Sequence, residues 1–443
     1  MSETIFSLST GGLPSGIAVI RVSGPQVRFV VETICGFLPD VRTASYRSFR
    51  DTDGNVIDRG LIIRFAAPHS FTGEDCAEFH LHGSRAVVAA MLSLLGEFDG
   101  VRQAEAGEFT RQAFANGKLD LTEVEGLSDL LAAETEAQRR AAIDQAGGSL
   151  RQLYDGWMSR LTHGRAMLEA EFDFSDEEDI PGTVSQQIWP DLDALVAEIT
   201  EHITGHHWGE VVRDGFRIAL IGAPNAGKST LLNKLADRDV AIVSAIPGTT
   251  RDTIEVRLDI GGFLVLIRDT AGLRETEDEI ESEGIRRTYD AARSSDLVLY
   301  LEDGSSDLNV PAGVEDFLSD MTNVLRVDTK QDLWDRADDM VHSGRLGVSA
   351  ITGDGIDRLV GRIGLEIAKL EPSSTRLPNR ARHRDLLIEC RRHIEQGLVS
   401  RHAGGELAAA DLKKAAESLG RITGQIGVED LLGVIFSEFC VGK

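Results

Sequence analysis

One glycine-rich turn carries the most specific chemistry in the chain. The apolar run Arg217–Gly222 (RIALIG) leads into Gly222-Ala-Pro-Asn-Ala-Gly-Lys228-Ser229, and the helix-forming segment TLLNKLA follows. A strand, a GxxxxGK[ST] turn and a helix in that order form a cradle for phosphates. Backbone N–H groups of the turn point inward, and the positive end of the helix adds to their attraction for anions. Lys228 supplies a charge for the outer phosphates, and the Ser229 hydroxyl is placed to ligate Mg²⁺. Asn225, Ala226, Gly227 and Thr230 complete the expected phosphate contacts.

Three further elements follow short apolar runs, at the carboxyl ends of predicted strands where doubly wound sheets bind ligands. After LVLIR comes Asp269-Thr270-Ala271-Gly272; the aspartate can hold Mg²⁺ through water and the glycine N–H can sense a γ-phosphate. After VLRV comes Asp328-Thr329-Lys330-Gln331-Asp332, of the form [N/T]KxD. Asp332 can accept from both N–H groups of guanine, which adenine does not offer, while the Lys330 stem covers the base. After GRLGV comes Ser349-Ala350, a short loop suited to the guanine carbonyl. These elements in this order predict a GTP site. Thr329 stands where most GTPases carry asparagine, so the amide tie from the base loop to the phosphate loop is expected to be lost and affinity weakened, with discrimination resting on Asp332.

Hydrolysis poses a separate question. The residue after Asp269-Thr-Ala-Gly272 is Leu273, where Ras-like proteins place a glutamine that orients the attacking water. Leucine cannot do this, so another group must position water and neutralise developing charge; an arginine in that role is worth ~10³–10⁵ in rate. The segment Ile242–Asp252 (IVSAIPGTTRD) brings Ser244, Ala245, Ile246, Pro247, Gly248, Thr249 and Thr250 towards the phosphates, with Thr250 the natural second Mg²⁺ ligand. Arg251 is either a finger or the partner of Asp252 in a structural ion pair.

The elements that must position these groups are legible as changes of pattern. At 443 residues with 42% hydrophobic and 27% charged residues, the chain has room for several packed domains. Ile17–Val22, Leu61–Phe65 and residues 77–82 (AEFHLH) have strand character and Ala86–Leu95 reads as helix. Residues 119–207 carry apolar positions at three- and four-residue spacing, as long helices do, and Asp173–Asp179 (DFSDEED) reads as a loop between them. Residues 215–372 alternate strand and helix signals, and helical sequence resumes after them. The expected fold is therefore mixed α/β and α: an N-terminal α/β domain (1–118), a helical domain in two parts (119–214 and 373–443), and a Ras-like, doubly wound P-loop G domain (215–372) inserted into it. No apolar run approaches the ~18 residues of a membrane span, and no secretory signal opens the chain. The four cysteines, Cys35, Cys76, Cys390 and Cys440, form no CxxC pair, which fits free thiols in the cytoplasm.

The combination of GAPNAGKS, IPGTTRD and DTAGLR resembles the TrmE–Era–EngA group of GTPases. The N-terminal IRVSG, the FTGED…E segment, NGKLDL and the terminal FCVGK extend the resemblance over the whole chain to the MnmE (TrmE) family of tRNA-modification GTPases. That resemblance implies K⁺ at a G-domain dimer interface, with Asn225, Ser244, Ile246 and Thr249 at the matching positions, and a catalytic acid that matches Glu281. From the residues alone, Glu281 in DEIESEG would be a solvated carboxylate on an acidic helix. The resemblance further implies a homodimer formed through the N-terminal domain and a tetrahydrofolate derivative (5-formyl or 5,10-methylene) as one-carbon donor. The matching folate positions are Arg21, Glu78, Lys118 and Lys443, and Cys440 matches a cysteine needed for the modification reaction. Where the family shows a GHGG-like stretch, this chain has LHGSR (Leu81–Arg85); His80 and His82 beside it read as structural.

The implied partners are tRNA, modified at its wobble uridine (position 34) to 5-carboxymethylaminomethyluridine, and the flavin-dependent protein MnmG, in a heterotetramer or larger assembly. The alternative is a GTP-switched RNA-binding or ribosome-assembly protein. A net charge of −26 repels nucleic acid at long range, so RNA contact needs local basic patches, for which Arg376–Arg384 and Arg391-Arg392-His393 are the candidates.

Overall fold

The computed structural model describes residues 3–173, 184–238, 240–242, 255–269, 289–305, 312–334, 346–372, 376–401 and 405–426, with Leu432, Ile435, Phe436, Phe439 and Gly442 of the tail. The acidic stretch expected to be a loop lies, beyond Asp173, outside the described residues. The chain divides into two compact units, one of Met1–Ser128, Gln145–Leu192 and Arg392–Lys443, the other of Asp129–Asp144 and Asp193–Arg391. Among the described residues no helix is long and apolar enough to cross a membrane.

The first unit opens with a six-stranded sheet in the order β3-β4-β5-β2-β1-β6. Its strands are β1 (Thr4–Leu8), β2 (Ser15–Ser23), β3 (Ser45–Arg50), β4 (Val56–Phe65), β5 (Cys76–Gly83) and β6 (Val101–Gln103). Neighbours run antiparallel except β1 and β6. Alternation along β2, β3, β4 and β5 puts Ile20, Val22, Phe49, Ile62 and Phe79 on one face. Val27, Val30, Val31 and Ile34 of α1 (Val27–Cys35) and Met91 and Leu95 of α2 (Arg85–Gly96) bury them. Phe49 and Phe79 meet edge to face at 5.4 Å. The same period sends Arg21 and Glu78 to the opposite face as direct cross-strand partners.

Helices α3 (Glu108–Ala115), α4 (Leu121–Ala132) and α5 (Glu136–Ala146) follow, and then α6 (Ser149–Asp173) packs along the late helix Gly405–Thr423. Tyr154, Trp157, Leu161 and Leu168 form the buried stripe of α6, against Leu412, Leu419 and Ile422, at the spacing one helix face requires. The start of α4 is held by a reciprocal cap. Asp120 Oδ1 accepts from Glu123 N at 2.8 Å, and Glu123 Oε2 accepts from Asp120 N at 2.7 Å. Arg151 Nη1 reaches the same glutamate oxygen at 3.0 Å. This cap terminates the turn that carries Lys118.

Helices α7 (Val184–Thr204) and α8 (His206–Asp214) lead along the chain to the inserted G domain, which the second unit holds. Its sheet has the order β12-β11-β10-β7-β9-β8, from β7 (Phe216–Gly222), β8 (Glu255–Ile260), β9 (Phe263–Asp269), β10 (Leu297–Asp303), β11 (Val324–Thr329) and β12 (Leu346–Gly347). All pairings are parallel except β8 with β9. Buried on both faces, these strands read as continuous apolar runs, and Leu220, Val265, Leu299 and Val327 pack with Leu231, Leu359 and Ile363 of the flanking helices. The chain starts at central β7, builds β9 and β8 to one side and β10 to β12 to the other. The carboxyl ends of β7, β9, β10 and β11 therefore flank one switch point, which is where such sheets take ligands.

The helical residues 129–144 are tied to this unit rather than to the helices that follow them. Ala137 N donates to Gly262 O at 2.9 Å, and Arg257 pairs with Glu134 at 2.6 Å. Asp129 accepts from Arg380 at 2.8 Å and Arg213 at 3.3 Å, which joins the two chain segments where the insertion leaves and returns.

The Asp120 cap yields a pH dependence. Burial pushes the Asp120 carboxyl up to about 6, from an ordinary 3.8, against the hydrogen bonds from Glu123 and Thr122. A raised carboxyl favours the fold only while protonated, so its contribution is complete below the unfolded value and is lost as pH rises through about 6. Asn at this position can still accept at Oδ1 and carries no charge to bury. Asp120→Asn is thus expected to stabilise the protein by on the order of 1–3 kcal/mol at pH 8, a gain that shrinks as the pH falls from 6 towards 4. Urea midpoints of the two proteins across that range check this; a gain independent of pH contradicts it.

Candidate nucleotide site

The phosphate loop is shaped by two left-handed residues. Asn225 has φ of 65° and Gly227 of 88°, and alternating turns of this kind gather N–H groups into an anion-binding concavity. Asn225 tolerates that backbone through its short polar side chain, and Gly227 has no Cβ to oppose it. Gly227 also caps α9 (Lys228–Ala236) and offers no side-chain hydrogen bond there. The first-turn N–H groups of α9, those of Lys228, Ser229 and Thr230, thus face the cradle without a competing side chain.

Lys228 is 8% exposed, and its Nζ donates to Gly222 O at 2.8 Å and Ala223 O at 2.9 Å. Burial lowers its pKa, while the charge of Asp269 works against that shift. The loop thereby keeps the ammonium folded over its own carbonyls, next to the cradle. Ser229 Oγ donates to Asp269 Oδ2 at 3.2 Å, and Asp269 is buried at the end of β9. A hydroxyl and a carboxylate at this distance beside a phosphate cradle fit the hard oxygen ligation that Mg²⁺ takes, directly and through water.

The base end lies one strand away. Thr329, the last residue of β11, is buried, and its Oγ1 lies 2.7 Å from Ala226 O and 2.9 Å from Glu302 O. The expectation that threonine forfeits the tie to the phosphate loop is overturned. β11 ends directly beneath the loop, so a hydroxyl on Cβ reaches the carbonyl without the length of an amide. Lys330 follows with a left-handed backbone, φ of 57°, and its Nζ pairs with Asp303 Oδ2 at 2.6 Å. Asp332 Oδ1 accepts from Ser349 Oγ at 2.5 Å, so the carboxylate expected to read guanine is aimed by the serine of the Ser349-Ala350 loop. Val348 N donates to Asp328 O and Gln331 N to Val348 O, which stitches that loop to the base loop.

Two residues here escaped the sequence reading. Trp334 Nε1 donates to Thr329 O at 3.3 Å, and its ring lies where a Cβ on Gly304 would come within 2.5 Å; the base loop is braced by an indole that only a glycine admits. Asp303 is the other. Its signal was an acidic residue closing the apolar run LVLYLED at the carboxyl end of a central strand. Ser244, Ala245, Ile246, Pro247, Gly248, Thr249, Thr250, Thr270, Ala271, Gly272 and Glu281 lie outside the described residues, as do Arg251 and Leu273.

In the other unit, Arg21 and Glu78 form a pair, with Arg21 Nη2 2.9 Å from Glu78 Oε1 and His80 Nε2 3.6 Å from Glu78 Oε2. Neither is the free surface charge its residue type suggests. The Arg21 guanidinium lies over Phe71 at 5.3 Å and Phe109 at 5.7 Å. Phe71 opens the turn to Gly73, whose Cβ position is 3.4 Å from Lys118 Cγ, and Asn116 Nδ2 donates to Thr72 O in the same turn. Arg21, Glu78 and Lys118 are thus grouped around one turn. Ser9 Oγ donates to Gly442 O at 2.9 Å, which brings the tail to the end of β1, the strand beside Arg21; Cys440 and Lys443 themselves lie outside the described residues. In the LHGSR stretch His82 pairs with Asp58 at 2.9 Å and Ser84 caps α2. The basic segments are largely engaged internally: Arg380 with Asp129, Arg384 with Asp385, and Arg391 with Thr200.

Comparison with known proteins matches both units. The family model for the MnmE helical domain matches residues 121–440, and the model for the GTP-binding protein TrmE N-terminus matches residues 4–118. The tRNA modification GTPase MnmE of Mesorhizobium japonicum is 51% identical over 100% of this chain and 99% of its own. That of Brucella canis is 51% identical over 100% of this chain and 98% of its own. That of Rhizobium johnstonii is 49% identical over 100% and 99%.

The Thr329 geometry sets an expectation for binding. Thr329→Val keeps the shape and removes the proton donor, leaving the Ala226 carbonyl without it. Affinity for a fluorescent GDP analogue is expected to fall roughly tenfold, while Thr329→Asn, which retains a donor, loses less. Equal affinities for threonine and valine in a direct titration rule out the hydroxyl as the link between base and phosphate loops.

Proposed function

Because this chain belongs to the MnmE family of tRNA modification GTPases, we propose that it couples K⁺-stimulated GTP hydrolysis to modification of the wobble uridine of tRNA. That it is a P-loop GTP hydrolase follows from the family; the cation, the donor and the partners are our reading. The observation that carries the reading is the phosphate loop itself, in which Lys228, Ser229 and Asp269 converge beside the left-handed Asn225.

On this reading Lys228 exchanges its loop carbonyls for the outer phosphates, and Ser229 and Thr250 hold Mg²⁺ with Asp269 behind it. Asn225, Ser244, Ile246 and Thr249 hold K⁺, which supplies the positive charge that Ras-like enzymes draw from an arginine. Glu281 orients water where Leu273 cannot. Asp332 and Ser349 read the guanine edge, with Ala350 on its carbonyl. Residues 1–118 form the dimerisation and folate unit, with Arg21, Glu78, Lys118 and Lys443 around a tetrahydrofolate derivative and Cys440 close by. Residues 119–214 and 373–443 form the helical domain that holds the G domain of residues 215–372. The pairing of Arg21 with Glu78 supports that site, since it orients a carboxylate towards which an amidine-like edge can direct paired hydrogen bonds. The protein acts as a homodimer with MnmG and tRNA in the cytoplasm, placing a carboxymethylaminomethyl group at C5 of uridine 34.

Steady-state hydrolysis of GTP in KCl and in NaCl at equal ionic strength, with ATP as control, tests this. The rate is expected to be far higher in KCl and absent with ATP, and Glu281→Ala to lower it roughly 10²–10⁴-fold with little change in nucleotide affinity. Equal rates in the two salts would remove the cation and move the role to Arg251.

A further inference from the structure

We propose that Asp303 is a positioning residue for guanine nucleotide, fixing the Lys330 side chain over the place of the base before the nucleotide arrives. The inference rests on the reading of Lys330 and Asp332 as base contacts. Asp303 ends β10, and its ladder partner in β11 is Thr329, so it lies beside the residue that precedes Lys330. Its two oxygens are used separately. Oδ1 accepts from Ser305 N at 3.0 Å and Ser305 Oγ at 2.6 Å, while Oδ2 takes Lys330 Nζ at 2.6 Å.

The turn at Ser305 aims the carboxylate, and the carboxylate aims the lysine. Burial opposes the Asp303 charge, but the hydrogen bonds from Lys330 and Ser305 prevail and hold the carboxyl below its usual range. The Asp303 side chain is 19% exposed, so the pair is screened less than a surface ion pair. Lys330 has a left-handed backbone, uncommon for a residue with a long side chain, and an untethered lysine leaving such a turn would sample many rotamers. With its tip anchored, the four-carbon stem is ordered in advance, which lowers the entropy lost on binding.

The pair is not needed to join its two strands. β10 and β11 are already paired from Val298–Val324 to Asp303–Thr329, and further along the same strands Arg326 bridges Glu302 and Glu315. On the other side the loop is walled by Trp334 against Gly304. What Asp303 adds is direction for one side chain at the mouth of the base site.

The test is a double-mutant cycle on the full chain, read by titration with a fluorescent GDP analogue and by steady-state GTP hydrolysis in KCl. Asp303→Ala is expected to raise Kd roughly tenfold, to raise KM in step, and to leave kcat at saturating GTP within about twofold. Lys330→Ala should raise Kd at least as far, and the double variant should be no weaker than Lys330→Ala alone, because the aspartate acts only through the lysine. Asp303→Asn, which keeps an acceptor for Ser305, should shift Kd in the same direction should the alanine variant fold poorly. Additive losses in the double variant, or Asp303→Ala and Asp303→Asn both binding like wild type, overturn the proposal. Failure of the wild-type chain to bind the GDP analogue overturns the guanine reading instead, so the two failures are distinct.

Discussion

The link between Thr329 Oγ1 and Ala226 O, 2.7 Å long, is the contact on which the nucleotide site depends. One end belongs to the strand that presents the base loop, the other to the phosphate loop, and the residues between them in sequence number 102. A parallel sheet makes this possible. β7 and β11 both stop at the same edge, separated by β10, and each releases its loop there. The sheet core of Leu220, Leu299 and Val327 sets the spacing of the two loops. A close-packed interior transmits small shifts rather than absorbing them. A hydroxyl two bonds from the backbone can serve only where that spacing is held, so this short side chain reports a rigid floor beneath the site.

Much of the site was legible because its chemistry is contiguous. Gly222 to Ser229, Asp269, Lys330 to Asp332 and Ser349 each follow an apolar run, and every run proved to be a strand with the motif at its carboxyl end. The strands β2, β4 and β5 and helix α2 were likewise readable from Ile17–Val22, Leu61–Phe65, residues 77–82 and Ala86–Leu95. What was not readable depends on pairs distant in sequence. Arg21 and Glu78 stand 57 residues apart, and only strand register makes them partners. β3, with the sequence SYRSFR, has a single buried apolar residue, Phe49, and too little pattern to declare itself. The error over Thr329 has the same origin: side-chain reach was judged from residue type, whereas the distance to be spanned is set by the fold.

The division of the chain also follows contacts rather than sequence order. Residues 129–144 continue a helical run, yet Asp129, Glu134 and Ala137 bind Arg380, Arg257 and Gly262 of the unit that holds the G domain. Gly262 sits in the turn between β8 and β9. β9 ends at Asp269, and β8 begins just after the segment Ile242–Asp252. The β8–β9 hairpin therefore rests, at its turn, on helical residues outside residues 215–372.

The charge of the chain sharpens the question of how it holds an anion at all. With a net charge of −26, the long-range field opposes nucleotide and nucleic acid alike. Screening confines that field to about 8 Å at physiological salt, so the outcome is decided by groups in contact. In the cradle those groups are mostly backbone: the left-handed turn at Asn225 and Gly227, the uncapped start of α9, and one lysine already folded against Gly222 O and Ala223 O. Fixed dipoles of this kind cost no reorganisation when charge develops, but they do not add positive charge as the reaction proceeds. A cradle built this way leaves the charge that develops during hydrolysis to be met by groups outside the phosphate loop.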